Sequence, residues 1–318
     1  MRTRILDLDG GLLAQQRLQR RYDPALHDLR SWGPHVRLGC GFGRFRRFET
    51  ALADALGEAR PADRMLTFCG SGDFHHVSLA LLRRLKEPFN LLVIDNHPDW
   101  MRAVPIMHCG TWVYHAARLP QVQRIFHVGG DVDFDNAWRL LAPWNLLRSG
   151  KITVFPSVRS FETGRWGDIA NCPLRRERDT PMTEERLEDL LAPCRLDLRR
   201  YPLYVSLDKD VLQADQAVVN WDSGRLTLEE VGKVLEVFLA AAAGDLIGMD
   251  IVGDWSPVGV KGLLRRFLHL SEHPALDVSP AAAARCNEWT NLALLQLLRA
   301  HVREAVPESP LRVWRSAA

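Results

Sequence analysis

At 318 residues the chain can bury one large α/β core, and 47% hydrophobic with 25% charged residues is ordinary for a globular protein. A formal net charge of +2 excludes capture of nucleic acid or another polyanion by bulk electrostatics, and the small cluster Arg44, Arg46, Arg47 reads as a solvated face. No run approaches the ~20 apolar residues of a spanning helix, and the six scattered cysteines form no CxxC pair, which argues against a thiolate zinc site or a disulfide framework.

Met1 to Asp7 hold no apolar core of secretory type, so the expectation is a cytoplasmic protein with reduced thiols. Along the chain, predicted strands cover Val36–Gly39, Met65–Cys69, Leu91–Asp95, Arg124–Val128, Ile152–Phe155, Leu203–Leu207 and Leu246–Ile251. Predicted helices cover Phe48–Leu56, Val77–Leu85, Phe134–Leu147, Glu184–Leu191, Leu228–Ala243 and Asn287–Val302. The alternation predicts a single α/β domain over residues 1–318, with a mostly parallel sheet covered by helices on both faces. Thr227, with Glu230 three residues on, is a capping-box start. The polar, arginine-rich stretch at about 156–181 reads as a long excursion or lid.

The chemistry lies where acids and histidines follow strands. Asp95, His97 and Asp99 come directly after the apolar run Leu91–Ile94, and alternate residues of extended chain point the same way. Three such groups on one side of a buried strand are costly without a cation. Asp208 and Asp210 repeat the pattern after Tyr204–Leu207, with Lys209 pointing away. Two carboxylates so close repel unless a metal or a proton lies between them. After Met65–Cys69, the turn Gly70–His76 offers His75 or His76 to the same strand edge, the edge at which open α/β sheets bind ligands.

These segments resemble the arginase, agmatinase and formiminoglutamase (ureohydrolase) family over roughly residues 65 to 300. Gly72-Asp73-Phe74-His75-His76-Val77-Ser78 is similar to its Gly-Gly-Asp-His-Ser-Ile-Ser motif with one residue inserted. Asp95-Asn96-His97-Pro98-Asp99 resembles Asp-Ala-His-x-Asp, Ser206 to Asp210 resembles Ser-x-Asp-x-Asp, and Asp250-Ile251 resembles the Asp-Ile of the last motif. The resemblance implies an arginase-like three-layer fold, an assembly of trimer or hexamer type, and a small-molecule substrate, with no nucleic acid or membrane partner. It implies two divalent metal ions, manganese by preference for oxygen-rich N/O ligands. One would bind His75, Asp95, Asp99 and Asp208, the other Asp95, His97, Asp208 and Asp210.

The implied reaction is attack of a metal-bridging hydroxide on a guanidino, amidino or formimino carbon, cleaving its C–N bond. His108, in Met107-His108-Cys109-Gly110, would return a proton to the leaving amine. The family motif Asp-Ile-x-Glu-x-x-Pro holds a guanidine-binding glutamate. Here Gly253 stands in its place, and Asp254 is the candidate to supply the carboxylate from a shifted register. Lys209 between two ligands is a second departure. Trp100, Trp112, Trp221 and Trp255 lie in or beside the motifs, either enclosing a substrate or packing under the loops. Two other readings stay open. A mononuclear zinc amidohydrolase of the deacetylase kind would leave His75 and Asp210 spare, and a catalytically silent metal-binding or regulatory protein would keep the ligands without turnover.

Overall fold

A computed structural model of the chain describes residues 1–58, 64–102, 104–130, 140–155, 184–258, 273 and 278–302. The excursion at 156–181, residues 134–139 of the predicted helix 134–147 and Cys172 lie outside the described residues; of that helix's described part, only a short helix Trp144–Arg148 covers the end.

The described strands are β1 (Arg2–Asp7), β2 (Ala25–Asp28), β3 (Gly39–Cys40), β4 (Met65–Phe68), β5 (Phe89–Ile94), β6 (Met107–His108), β7 (Val122–Val128), β8 (Ile152–Phe155), β9 (Leu203–Asp208) and β10 (Leu246–Val252). Eight of them form one sheet in the order β2-β1-β4-β10-β9-β5-β7-β8. Every pairing in it is parallel. The pair β3 and β6 is antiparallel and stands apart.

Central strands β5 and β9 are buried at all six positions. Their alternating side chains feed two cores. Leu92 and Ile94 of β5 join Leu203, Val205 and Leu207 of β9 in one, with residues of the helices Leu228–Ala241 and Pro280–His301. Leu91 and Val93 join the other, with residues of the helices Phe42–Leu56 and Val77–Leu82. Helices thus cover both faces of the sheet, and the chain is one α/β domain.

The helix Leu228–Ala241 starts on a complete capping box. Thr227 Oγ1 accepts from the Glu230 backbone N–H at 3.1 Å, and Glu230 Oε2 accepts from the Thr227 N–H at 3.0 Å. Thr227→Ala is expected to cost about 1 kcal/mol, read as a lower urea midpoint at unchanged slope.

The segment 36–39 departs from its predicted strand. Pro34 occupies the first turn of a short helix, Gly33–Val36, where its fixed φ suits an N-terminal position. Leu38 then turns with φ 62°, so only Gly39 and Cys40 are extended. Among the described residues Cys40, Cys69, Cys109, Cys194 and Cys286 form no disulfide with one another.

Candidate metal centre

Strands β4, β10, β9 and β5 are neighbours, and their carboxyl ends converge on one group of side chains. His75 Nδ1 lies 3.1 Å from Asp95 Oδ2, 3.0 Å from Asp99 Oδ2 and 3.5 Å from Asp208 Oδ2. His97 Nδ1 lies 2.8 Å from Asp210 Oδ2 and 4.0 Å from Asp95 Oδ1. Two groups with metal-ligand spacing result, His75–Asp95–Asp99 and Asp95–His97–Asp210, and Asp95 belongs to both. Asp99 reaches the first group with φ 48°, a left-handed conformation that Asp tolerates better than most residues.

The four carboxylates are buried. One imidazole proton cannot satisfy three carboxylate oxygens around His75 Nδ1, and Asp95 Oδ2 has no hydrogen bond of acceptable geometry despite its 3.1 Å contact. Divalent cations fit this donor set of buried oxygens and two imidazole nitrogens.

Side chains behind the ligands fix their orientation. His75 Nε2 is 3.0 Å from Ser206 Oγ, which donates to Asp250 Oδ1 at 2.8 Å. Nε2 therefore carries a proton, which leaves Nδ1 as the ring nitrogen that would ligate a metal. Trp112 Nε1 donates to Asp99 Oδ2 at 2.8 Å, and its ring packs 4.8 Å from that of His75. The Asp210 N–H donates to Asp208 Oδ1 at 3.0 Å, and the His97 N–H to Asp95 Oδ1 at 2.7 Å.

His76 is not part of either group. It is buried beside Phe45, both ring nitrogens lack hydrogen-bond partners, and burial, with His108 and His75 nearby, pushes its pKa down to about 3. Asp73 is also set apart. It accepts from Arg37 Nε at 2.6 Å and from Trp221 Nε1 at 3.0 Å, with His273 Nε2 at 2.7 Å. Burial works to raise its pKa, but Arg37 and His273 outweigh it and hold it at about 2.

His108 caps a short 3-10 turn. Its Nδ1 accepts from the Gly110 N–H at 3.1 Å, so proton exchange would run through Nε2.

Asp254 points elsewhere than the sequence suggests. Its Oδ1 lies 2.8 Å from Lys209 Nζ and accepts from Gln15 Nε2 at 2.6 Å and Asn291 Nδ2 at 3.2 Å, all in the interior. The carboxylate is thus engaged by an ammonium and two amides rather than offered to a guanidinium. Gly253, in turn, has no room for a side chain. A Cβ there would meet Asp208 Oδ1 at 2.5 Å and the Lys209 backbone nitrogen at 2.7 Å, and its φ is 91°. Gly72 approaches Asp208 in the same way, with 2.8 Å to Oδ2.

Of the tryptophans, Trp100 and Trp112 are buried under the loops. Trp221 packs 5.5 Å from the His97 ring and borders the centre. The ties from Ser206 and Asp250, from Trp112 to Asp99 and from Lys209 to Asp254 were invisible as pairs in the sequence, because each joins distant segments.

Without metal, the centre stores protons. Burial, with repulsion from Asp210 and Asp95, raises Asp208 well above the usual carboxylate range, and burial with Asp95 raises Asp210. Burial opposes a charge on His75 and His97, but the surrounding aspartates prevail and raise both, His97 to about 10. The His97 side chain is 36% exposed, so solvent screens part of that pull.

The folded metal-free chain thus binds protons that the unfolded chain releases. The histidine share of its stability is complete below 6.5 and is lost as pH rises towards about 10. Metal binding expels those protons, so affinity increases with pH. Thermal melts from pH 6.5 to 9 are expected to show the metal-free protein weakening while the gap to the metal-loaded protein widens; a gap that narrows would contradict this proton linkage.

No family model matches the chain. A protein of Thermotoga maritima, described as uncharacterized, is 28% identical over 199 residues, which span 62% of this chain and 61% of that protein. Arginase from Bacillus subtilis superposes with a TM-score of 0.51 at 15% identity, covering 96% of this chain and 100% of that one. Formimidoylglutamase from Bacillus subtilis gives a TM-score of 0.51 at 13% identity, covering 94% of this chain and 86% of that one. Among the described residues no helix is long and apolar enough to cross a membrane. The parallel eight-stranded sheet and its likeness to these two enzymes show that the chain carries the arginase-like α/β fold of the ureohydrolases.

Proposed function

We propose that the chain is a binuclear metal-dependent hydrolase that cleaves a C–N bond of an amidino, guanidino or formimino compound. The carrying observation is Asp95 shared between two ligand groups, with Asp208 beside His75 and hydrogen-bonded to Asp210. His75 and Asp210, which a mononuclear deacetylase-like site would leave spare, are both members of those groups.

His75, Asp95, Asp99 and Asp208 would hold one ion, and Asp95, His97, Asp208 and Asp210 the other, with manganese the best match to the ligands. When bound, such a pair supplies an activated water and a positive field for the charge that develops on the substrate. The protein's own part is orientation: Ser206 and Asp250 fix the His75 ring, Trp112 fixes Asp99, and Trp221 walls the side of His97. His108 is the proposed carrier of a proton to the leaving amine through Nε2. Asp254 acts as the partner of Lys209, the residue between the two DxD ligands, and substrate recognition falls to other groups.

Metal analysis with a screen for urea or ammonia release over guanidino, amidino and formimino compounds tests the proposal. Turnover of one class with two ions per chain is expected. A fully loaded protein that melts higher with metal yet turns over none of them would instead establish the catalytically silent reading, which the engaged Asp254 favours.

A further inference from the structure

A cavity of about 530 Å³ opens at the opposite edge of the sheet, where β1, β4, β9 and β10 begin. Its volume is in the range that accepts small molecules. Arg4, Arg84, Arg299 and His27 line it. The contacts of the three arginines are neutral. Arg4 Nε donates to Thr67 Oγ1 at 2.8 Å, Arg84 donates to the Gly57 carbonyl, and Arg299 stacks 4.5 Å over the Tyr22 ring. None of the three forms an ion pair among the described residues, although the carboxylates Asp23 and Glu58 also reach the lining.

The charges press on one another. Burial lowers the pKa of Arg4 and His27; Arg84 lowers the first further while Tyr204, Cys69 and Asp250 work against that, and Arg4 lowers the second further. Tyr22 also lines the cavity, and its hydroxyl is covered by protein and makes no hydrogen bond. Three guanidinium groups without an ion pair around a concave space match the planar forks by which arginine binds phosphate and carboxylate.

We propose that this cavity is a binding site for a small oxyanion, a phosphate or carboxylate group on a molecule of metabolite size. It is separate from the metal centre. Tyr204 lines it, and Asp208 lies four residues further along β9, about 13 Å of extended strand away. The site does not depend on the proposed hydrolase activity.

Thermal denaturation of the full-length, metal-loaded protein with inorganic phosphate or with malonate, at ionic strength held constant with chloride, tests it. One of the two is expected to raise the melting temperature saturably at millimolar concentration, and which one does so identifies the anion class. The midpoint concentration should rise at least about tenfold in Arg84→Gln and in Arg299→Gln. Arg299 is exposed near a helix end, so that variant folds. Asp99→Asn, altered at the metal centre, should keep the shift. No saturable shift with either anion, an unchanged midpoint in both arginine variants, or a shift lost in Asp99→Asn would overturn the proposal.

Discussion

Asp95→Asn is expected to lower turnover at least about a thousandfold, roughly 4 kcal/mol of transition-state stabilisation. The reason is topological. Asp95 follows β5 at the centre of the sheet, and its two oxygens face different partners, Oδ2 towards His75 and Oδ1 towards His97. An amide offers one neutral oxygen where a carboxylate offers two charged ones, so both metal positions weaken together. Asp99→Asn is the informative comparison, since Asp99 belongs to one group only. It is expected to leave one ion in place while Asp95→Asn loses both. Metal content of the two variants, measured after gel filtration, checks this; two ions retained by Asp95→Asn would show that the shared position does not bridge.

Lys209→Met is the second large effect, on stability rather than chemistry. Lys209 and Asp254 are both 0% exposed, and 2.8 Å separates the ammonium from the carboxylate. Burial lowers the lysine pKa and Asp254 works against that, which is the behaviour of a pair held together in a dry interior. Removing the ammonium leaves a carboxylate buried with only Gln15 and Asn291 donating to it, at an expected cost of about 3–5 kcal/mol. Lys209→Met combined with Asp254→Asn removes both charges and keeps an oxygen for the two amide donors. The double variant should therefore be more stable than Lys209→Met alone. Urea denaturation of the set decides: a single variant that loses under about 1 kcal/mol, or a double variant worse than the single, would show that the pair is not what ties the DxD turn to β10.

The legibility of the fold followed burial. Strands built mainly of buried apolar residues, β5, β8, β9 and β10, were readable because both faces are covered, and β7 was readable over its apolar second half. The first two strands carried no such signal. β1 opens Arg2-Thr3-Arg4, with polar groups at the amino edge, and β2, Ala25-Leu26-His27-Asp28, is an edge strand with half-exposed and exposed residues. The helix Phe42–Leu56 begins six residues before its predicted start, since Phe45 belongs to the same buried stripe as Phe48 and Leu52, with Arg46 and Arg47 exposed off that stripe. Pro280 likewise opens the last helix seven residues before Asn287, by the same N-terminal preference seen at Pro34.

At the centre, residue type and spacing were enough to find the acids and histidines, since carboxylates gathered at the ends of buried strands need a cation to neutralise them. They were not enough to distinguish His75 from His76, which needs the direction of a turn. Nor could they show what Asp254 faces. That depends on a lysine 45 positions away in the chain and on amides from residues 15 and 291, brought together only by the order of the strands.

The most direct measurement is anomalous diffraction from crystals grown with manganese. Two peaks per chain are predicted, one among His75, Asp95 and Asp99 and one among Asp95, His97 and Asp210. A single peak, or none with the four aspartates still packed together, would contradict the claim that paired dications are what these buried carboxylates are arranged to hold.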